Sequence, residues 1–194
     1  MKKALSLLSL LILFCGFLYK INNVPVDKSK FFIQDLNYRD FSLEKLSVVG
    51  YIGYSKLQLV DFSDEIYIEE RKYCSSSEFY YYSIVDTTNY YSYVYYYFKD
   101  YVISFVLVNY DKKGNYIDDV VLSSISGDAG FFEYCEGTFV NDSTFVRIDM
   151  EGENVGDERN SVDSITNLSQ YKIVLQKEGK ILVDTLIYNL IFKE

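Results

Sequence analysis

Apolar and polar positions divide this chain of 194 residues into stretches of different rhythm. Residues 4–19 form an almost unbroken apolar run, interrupted by Ser6, Ser9, Cys15 and Gly16 and preceded by Lys2 and Lys3. Residues 22–29 are polar, hold the single proline, Pro25, and show no period, which reads as a tether. Across 30–46 the residues Phe31, Phe32, Leu36, Phe41, Leu43 and Leu46 are loosely spaced in a way that predicts one short helix.

From Leu46 the rhythm changes to short apolar runs that alternate with polar positions and stop at clusters of Gly, Asn, Asp and Ser. That is the pattern of antiparallel strands. In 65–73, Ile66 and Ile68 alternate with charged neighbours, whereas 101–110 is nearly all apolar and predicts a central strand covered on both faces. Hairpin turns are expected at 110–116, where Gly114 supplies the positive φ, and at 141–143 and 178–179. Segments 171–176 and 180–192 should then pair as a last hairpin that closes the sheet. The acidic stretch 151–160 and the Ser-, Thr- and Asn-rich segment up to 169 read as a long surface loop with a short helix around 162–168. The expected fold is mainly β, an antiparallel sheet sandwich or open barrel with a short N-terminal helix after the membrane segment. Residues 1–19 are a signal peptide or membrane anchor, 20–45 a tether with the helix, and 46–194 a single β-rich extracytoplasmic domain.

Composition sharpens this picture. With 21 Tyr, 14 Phe and no Trp, the aromatic residues are of strand-favouring kinds. A net charge of −9 opposes binding to nucleic acid, whose affinity comes largely from Lys and Arg displacing counterions. It equally opposes adsorption of the domain to anionic lipid, so contact with a membrane is expected through the N-terminal segment alone. A basic protein partner is favoured. The chain has no His, which removes Ser-His-Asp and Cys-His catalysis and His-ligated zinc together.

The N-terminal run follows the grammar of export. It is slightly short for a confident span and lacks an A-x-A-like cleavage site, so three fates compete: lipidation at Cys15, an uncleaved anchor, or a cleaved signal peptide. The stretch from Leu11 to Gly16 resembles a bacterial lipobox in which Cys15 becomes the lipidated N-terminus, with Phe14 standing where a small residue is usual. Lys2 and Lys3 should stay in the cytoplasm, which puts the rest of the chain in the periplasm or on the cell surface.

Few residues beyond this carry candidate chemistry. Cys74 and Cys135 each end a strand-like run and would meet an oxidising compartment, so a disulfide between them is expected; closing that loop would contribute about 4 kcal/mol in the chain-entropy model. In 90–98, Tyr91, Tyr93, Tyr95 and Tyr97 fall on one face of a strand, and Tyr90, Val94, Tyr96 and Phe98 on the other. A flat Tyr face suits a partner or carbohydrate site, and equally suits cross-strand pairs covering a half-buried sheet. Asp111, Asn115, Asp118 and Asp119 form one acidic group, and Glu151, Glu153, Asp157 and Glu158 another. Neither has the spacing of a calcium loop, so both read as solvated charge, and no metal is expected. No nucleotide-binding or hydrolase motif is present, and neither a cofactor nor enzymatic activity is expected.

The Lys-Lys start, the Cys-containing apolar run and the segment from Tyr110 to Asp118 together resemble small exported Tyr-rich proteins of Bacteroidota-type bacteria, many of them lipoprotein-like and of undefined function. The resemblance implies a cell-envelope protein and assigns no functional residue. The expected role is that of a membrane-tethered binding protein, an immunity or inhibitor protein for a basic secreted partner. The alternative is an envelope structural or carbohydrate-binding surface protein.

Overall fold

The computed structural model describes residues 27–52, 56–60, 78–86, 88–128, 130–155 and 162–192. The expected membrane segment with Cys15, the strand at 65–73 and Cys74 lie outside the described residues. No helix among the described residues is long and apolar enough to cross a membrane.

The fold is mainly β, one antiparallel sheet that is not closed, with one short α-helix among the described residues. Its strands are β1 (Asp40–Phe41), β2 (Gln58–Leu59), β3 (Glu78–Asp86), β4 (Tyr91–Lys99), β5 (Val102–Tyr110), β6 (Tyr116–Asp128), β7 (Phe131–Asn141), β8 (Thr144–Val155), β9 (Val162–Leu175) and β10 (Ile181–Ile191). The helix, α1, spans Leu43–Ile52. From β2 to β10 each strand pairs with the next in the chain, and β1 joins separately against β7.

The expected turns are where the chain reverses. Gly114 (φ 89°) turns β5 into β6, and the Asp111 carboxylate accepts hydrogen bonds from the backbone of Lys113 and Asn115. Burial works against that carboxylate's charge, but the bonds from Asn115 and Lys113 outweigh it and hold the group below the usual range. Asn141 plays the same part between β7 and β8 by accepting from the Ser143 backbone, and Gly179 (φ 87°) turns β9 into β10. Asp100 (φ 49°) makes the tight link between β4 and β5, a conformation Asp tolerates better than most residues.

Three expectations are corrected. The helix lies at Leu43–Ile52, beginning near the point where the spacing predicted its end. Asp35 bends the chain by accepting from the Asn37 backbone, and Ser42 caps α1, its Oγ accepting from Lys45 N at 3.4 Å. The segment 151–169 is not one long loop, because its two ends are paired strand, with Glu151 opposite Asn167 and Glu153 opposite Ser164. Its polar composition reflects largely solvent-facing strands rather than a turn. Finally, β10 does not close the sheet, since among the described strands it pairs with β9 alone.

The sheet curls instead of closing. β6 pairs with β7 only from Ser124 to Asp128, after which β7 turns aside and β1 takes its free edge at Gly137 and Thr138. The backbone at the split finds other partners, and Arg147 Nη1 on β8 donates to the Val121 carbonyl at 2.8 Å. Where β10 begins, Ile181 N donates to Asp118 Oδ2 at 3.0 Å, Lys180 Nζ to the Ile117 carbonyl at 3.1 Å, and Asn109 Nδ2 to the Gly179 carbonyl at 2.7 Å. Side chains thus hold β10 to β5 and β6 where a ladder would otherwise run.

Two cores follow from strand alternation in β3 to β6. Tyr82, Val94, Tyr96, Phe105, Leu107 and Leu122 face α1 and the curled-over β8 and β9, whose Phe145 and Ile173 complete that cluster. Their alternates, among them Tyr81, Tyr93, Tyr95, Val106 and Tyr110, face the other way and pack with Phe31 and Val60. β5 is buried on both faces, as its unbroken apolar run predicts.

Candidate interaction surface

On β4, Tyr93, Tyr95 and Tyr97 sit inside the second core, and Tyr96 faces the first. Tyr93, Tyr95 and Tyr97 are 1%, 0% and 6% exposed, and only Tyr91 reaches solvent, with Lys112 Nζ 4.4 Å from its ring centroid. Phe31 lies over this face, its ring 4.7 Å from Tyr93, 5.1 Å from Tyr81 and 6.1 Å from Tyr95. A ligand stacking on these rings would have to displace Phe31. The face is held together by cross-strand ring pairs, such as Phe79 with Tyr97 at 4.9 Å and Tyr81 with Tyr95 at 5.7 Å. Burial raises the Tyr93, Tyr95 and Tyr110 hydroxyls well above the ordinary tyrosine range and keeps them neutral.

The acidic groups do structural work. Asp111 and Asn115 build the β5–β6 turn, Asp118 holds the Ile181 backbone, and Asp119 Oδ1 accepts from the Tyr116 hydroxyl at 2.5 Å. Glu151 and Glu153 lie exposed on β8, and Asp157 and Glu158 lie outside the described residues. Among the described residues no three acidic or cysteine side chains converge as metal ligands would.

Cys135 is a buried free thiol on β7, 3.3 Å from Ser124 Oγ, and burial pushes its pKa up. The expected bridge is thus not formed at Cys135, and its other half, Cys74, lies outside the described residues. Opposite Cys135 in the ladder is Asp149, which takes a two-pronged ion pair from Arg147 at 2.7 and 2.9 Å. Burial raises the Asp149 pKa, and Arg147 acts in the opposite direction. The Arg147 guanidinium also stacks over Tyr171 at 5.2 Å, so its donors and its flat face are both committed within the fold.

Sequence reasoning missed the surface that stands out in the fold, which is β10. Leu182, Val183, Leu186, Ile187, Tyr188, Leu190, Ile191 and Phe192 are all substantially exposed, Tyr188 to 71% and Ile191 to 65%. Both faces of the strand carry them, and its outer edge leaves backbone donors and acceptors unpaired by any described strand. Edge strands are ordinarily blunted by charge, Pro or bulges. Here the devices are Asp184, register shifts between Thr185 and Ile187 and between Ile187 and Leu190, and Asn189 (φ 49°), whose N–H donates to Ser169 Oγ. An exposed apolar strand of this kind makes β10 the candidate interaction surface. The signal in the sequence was the lack of polar alternation from Leu186 to Phe192, which also fits a buried closing strand. Compared with protein families, with characterised proteins and with solved structures, the chain finds no match.

Proposed function

We propose that this protein is a non-enzymatic, membrane-tethered binding protein of the extracytoplasmic space, which acts by occupying a partner protein through β10. The observation that carries the reading is the row of exposed aliphatic and aromatic side chains on an edge strand. Such an edge can extend a sheet into a partner's strand, with main-chain hydrogen bonds supplying affinity and the flanking side chains specificity. The chain's charge of −9 favours a basic partner and speeds encounter with it, which suits an immunity or inhibitor role. The carbohydrate alternative depends on the tyrosine face, and the cover that Phe31 lays over those rings favours a protein partner instead.

The test places a photo-crosslinking amino acid at Leu186 or Tyr188, and for comparison at Lys177, in the full-length chain within the cells that make it. The expected result is an adduct with one basic protein from the β10 positions only, weakened when salt is raised before irradiation. Adducts from Lys177 without any from β10 would overturn the reading.

A further inference from the structure

A cavity of about 210 Å³ opens between the N-terminal segment, α1 and the residues that follow it. Its walls are largely apolar, with Phe32 and Ile33 from the segment, Val48 and Val49 from α1, and Leu57 beyond. Phe32 and Val48 are 55% and 42% exposed, so the cavity stands open to solvent. An apolar cavity of about 150 Å³ takes up benzene, so this one has room for a ring or a short alkyl chain.

The described polar residues lining it can all donate. Lys45 and Lys56 bring ammonium groups, and the hydroxyls of Tyr38 and Tyr82 lie 2.8 Å apart. Two hydroxyls carry two protons and the bond between them uses one, so the pair retains a proton for an outside acceptor. Among the described residues that line it, none is acidic. Asp40 lies 3.7 Å from Lys45 Nζ; both side chains are about half exposed, and such pairs hold weakly. On a chain of net charge −9, the described lining of this apolar hollow thus carries two lysines and no carboxylate.

We propose that this cavity binds a small carboxylic acid in its ionised form, with an alkyl or aryl body. The carboxylate meets Lys45 and Lys56 and accepts the proton left by the tyrosine pair, while the body replaces water against Val48, Val49 and Leu57. No residue of β10 lines the cavity, so the site stands independently of the partner surface.

The probe is octanoate carrying a diazirine, applied to the full-length chain in amphipol, with labelled peptides mapped by mass spectrometry. Labelling should fall on Phe32 or in the 45–57 region, and octanoate should compete at a concentration at least threefold lower than octanol, which has the same tail and no charge. In the Lys45→Gln, Lys56→Gln double variant, whose changes fall on exposed side chains, the ratio should drop below three. Val48→Trp should abolish the labelling while the circular dichroism of the fold is kept. The proposal is overturned by labelling elsewhere or none, by a ratio below three in the unaltered protein, or by a ratio of three or more that survives in the double variant.

Discussion

The ring of Phe31 lies 4.7 Å from that of Tyr93 at an angle of 42°, and Phe31 itself is only 3% exposed. A residue outside the sheet therefore completes the core on one of its faces. Phe31→Ala should cost about 3–5 kcal/mol, the usual range for removing a buried aromatic ring. Tyr93→Phe should lie within about 1 kcal/mol of the unaltered protein, because the Tyr93 hydroxyl has no hydrogen-bond partner among the described residues. Urea unfolding of both variants checks the pair.

Alkaline pH should unfold the protein through its tyrosines. Burial holds the hydroxyls of Tyr82, Tyr93, Tyr95 and Tyr110 above the ordinary range near pH 10 and pushes Tyr90 up to about 12. The folded state thus keeps protons that the unfolded state releases. Stability should be level below about pH 10 and fall as pH rises beyond it. Tyrosinate absorbance should show the buried hydroxyls ionising together with loss of the far-ultraviolet β signal.

Arg147 ties β8 to the split in the sheet. Arg147→Met leaves Asp149 buried without its cation, and should cost about 1–3 kcal/mol at neutral pH. With the guanidinium gone, burial and the neighbouring Glu151 charge act unopposed on Asp149 and raise its pKa further, so the folded variant binds a proton more tightly than the unfolded chain. The deficit should shrink as pH falls from 7 towards 5 and widen as it rises. Denaturant midpoints at three pH values test this sign.

Gly137 marks the point where β7 leaves β6 for β1. A Cβ there would run into the Val146 carbonyl and the ring of Phe145. Gly137→Ala should therefore destabilise by about 1–3 kcal/mol through overpacking. At Gly130 (φ 91°) an added Cβ meets no atom within 4 Å, so Gly130→Ala should strain only the backbone and cost less. Thermal melts of the two variants give the comparison.

Much of this architecture was legible locally. The apolar run of 101–110 gave the central strand, and Gly114, Asn141 and Gly179 marked reversals, because each acts within a few residues. Alternation also sorted the β4 tyrosines correctly onto two faces. What covers a face is a long-range fact. Phe31 reaches Tyr93 from far along the chain, and periodicity around Phe31 suggested a helix instead. The start of α1 hung on Ser42, a cap whose meaning depends on Asp40 and Phe41 being paired with β7. For β10, an apolar strand reads the same whether it is buried or waiting for a partner, and only the sheet order separates the two.

Sheet order also governs how such a chain can assemble. From β3 to β10 every strand lies beside its predecessor in sequence, so a chain emerging N-terminus first can lay each one onto the last with little loop to close. β1 is the exception, because Asp40 must wait for Thr138 to appear. β1, and α1 that follows it against β5, β6 and β7, would thus dock late, as a clasp over a sheet already growing. β10, added last, leaves the growing edge where growth stopped.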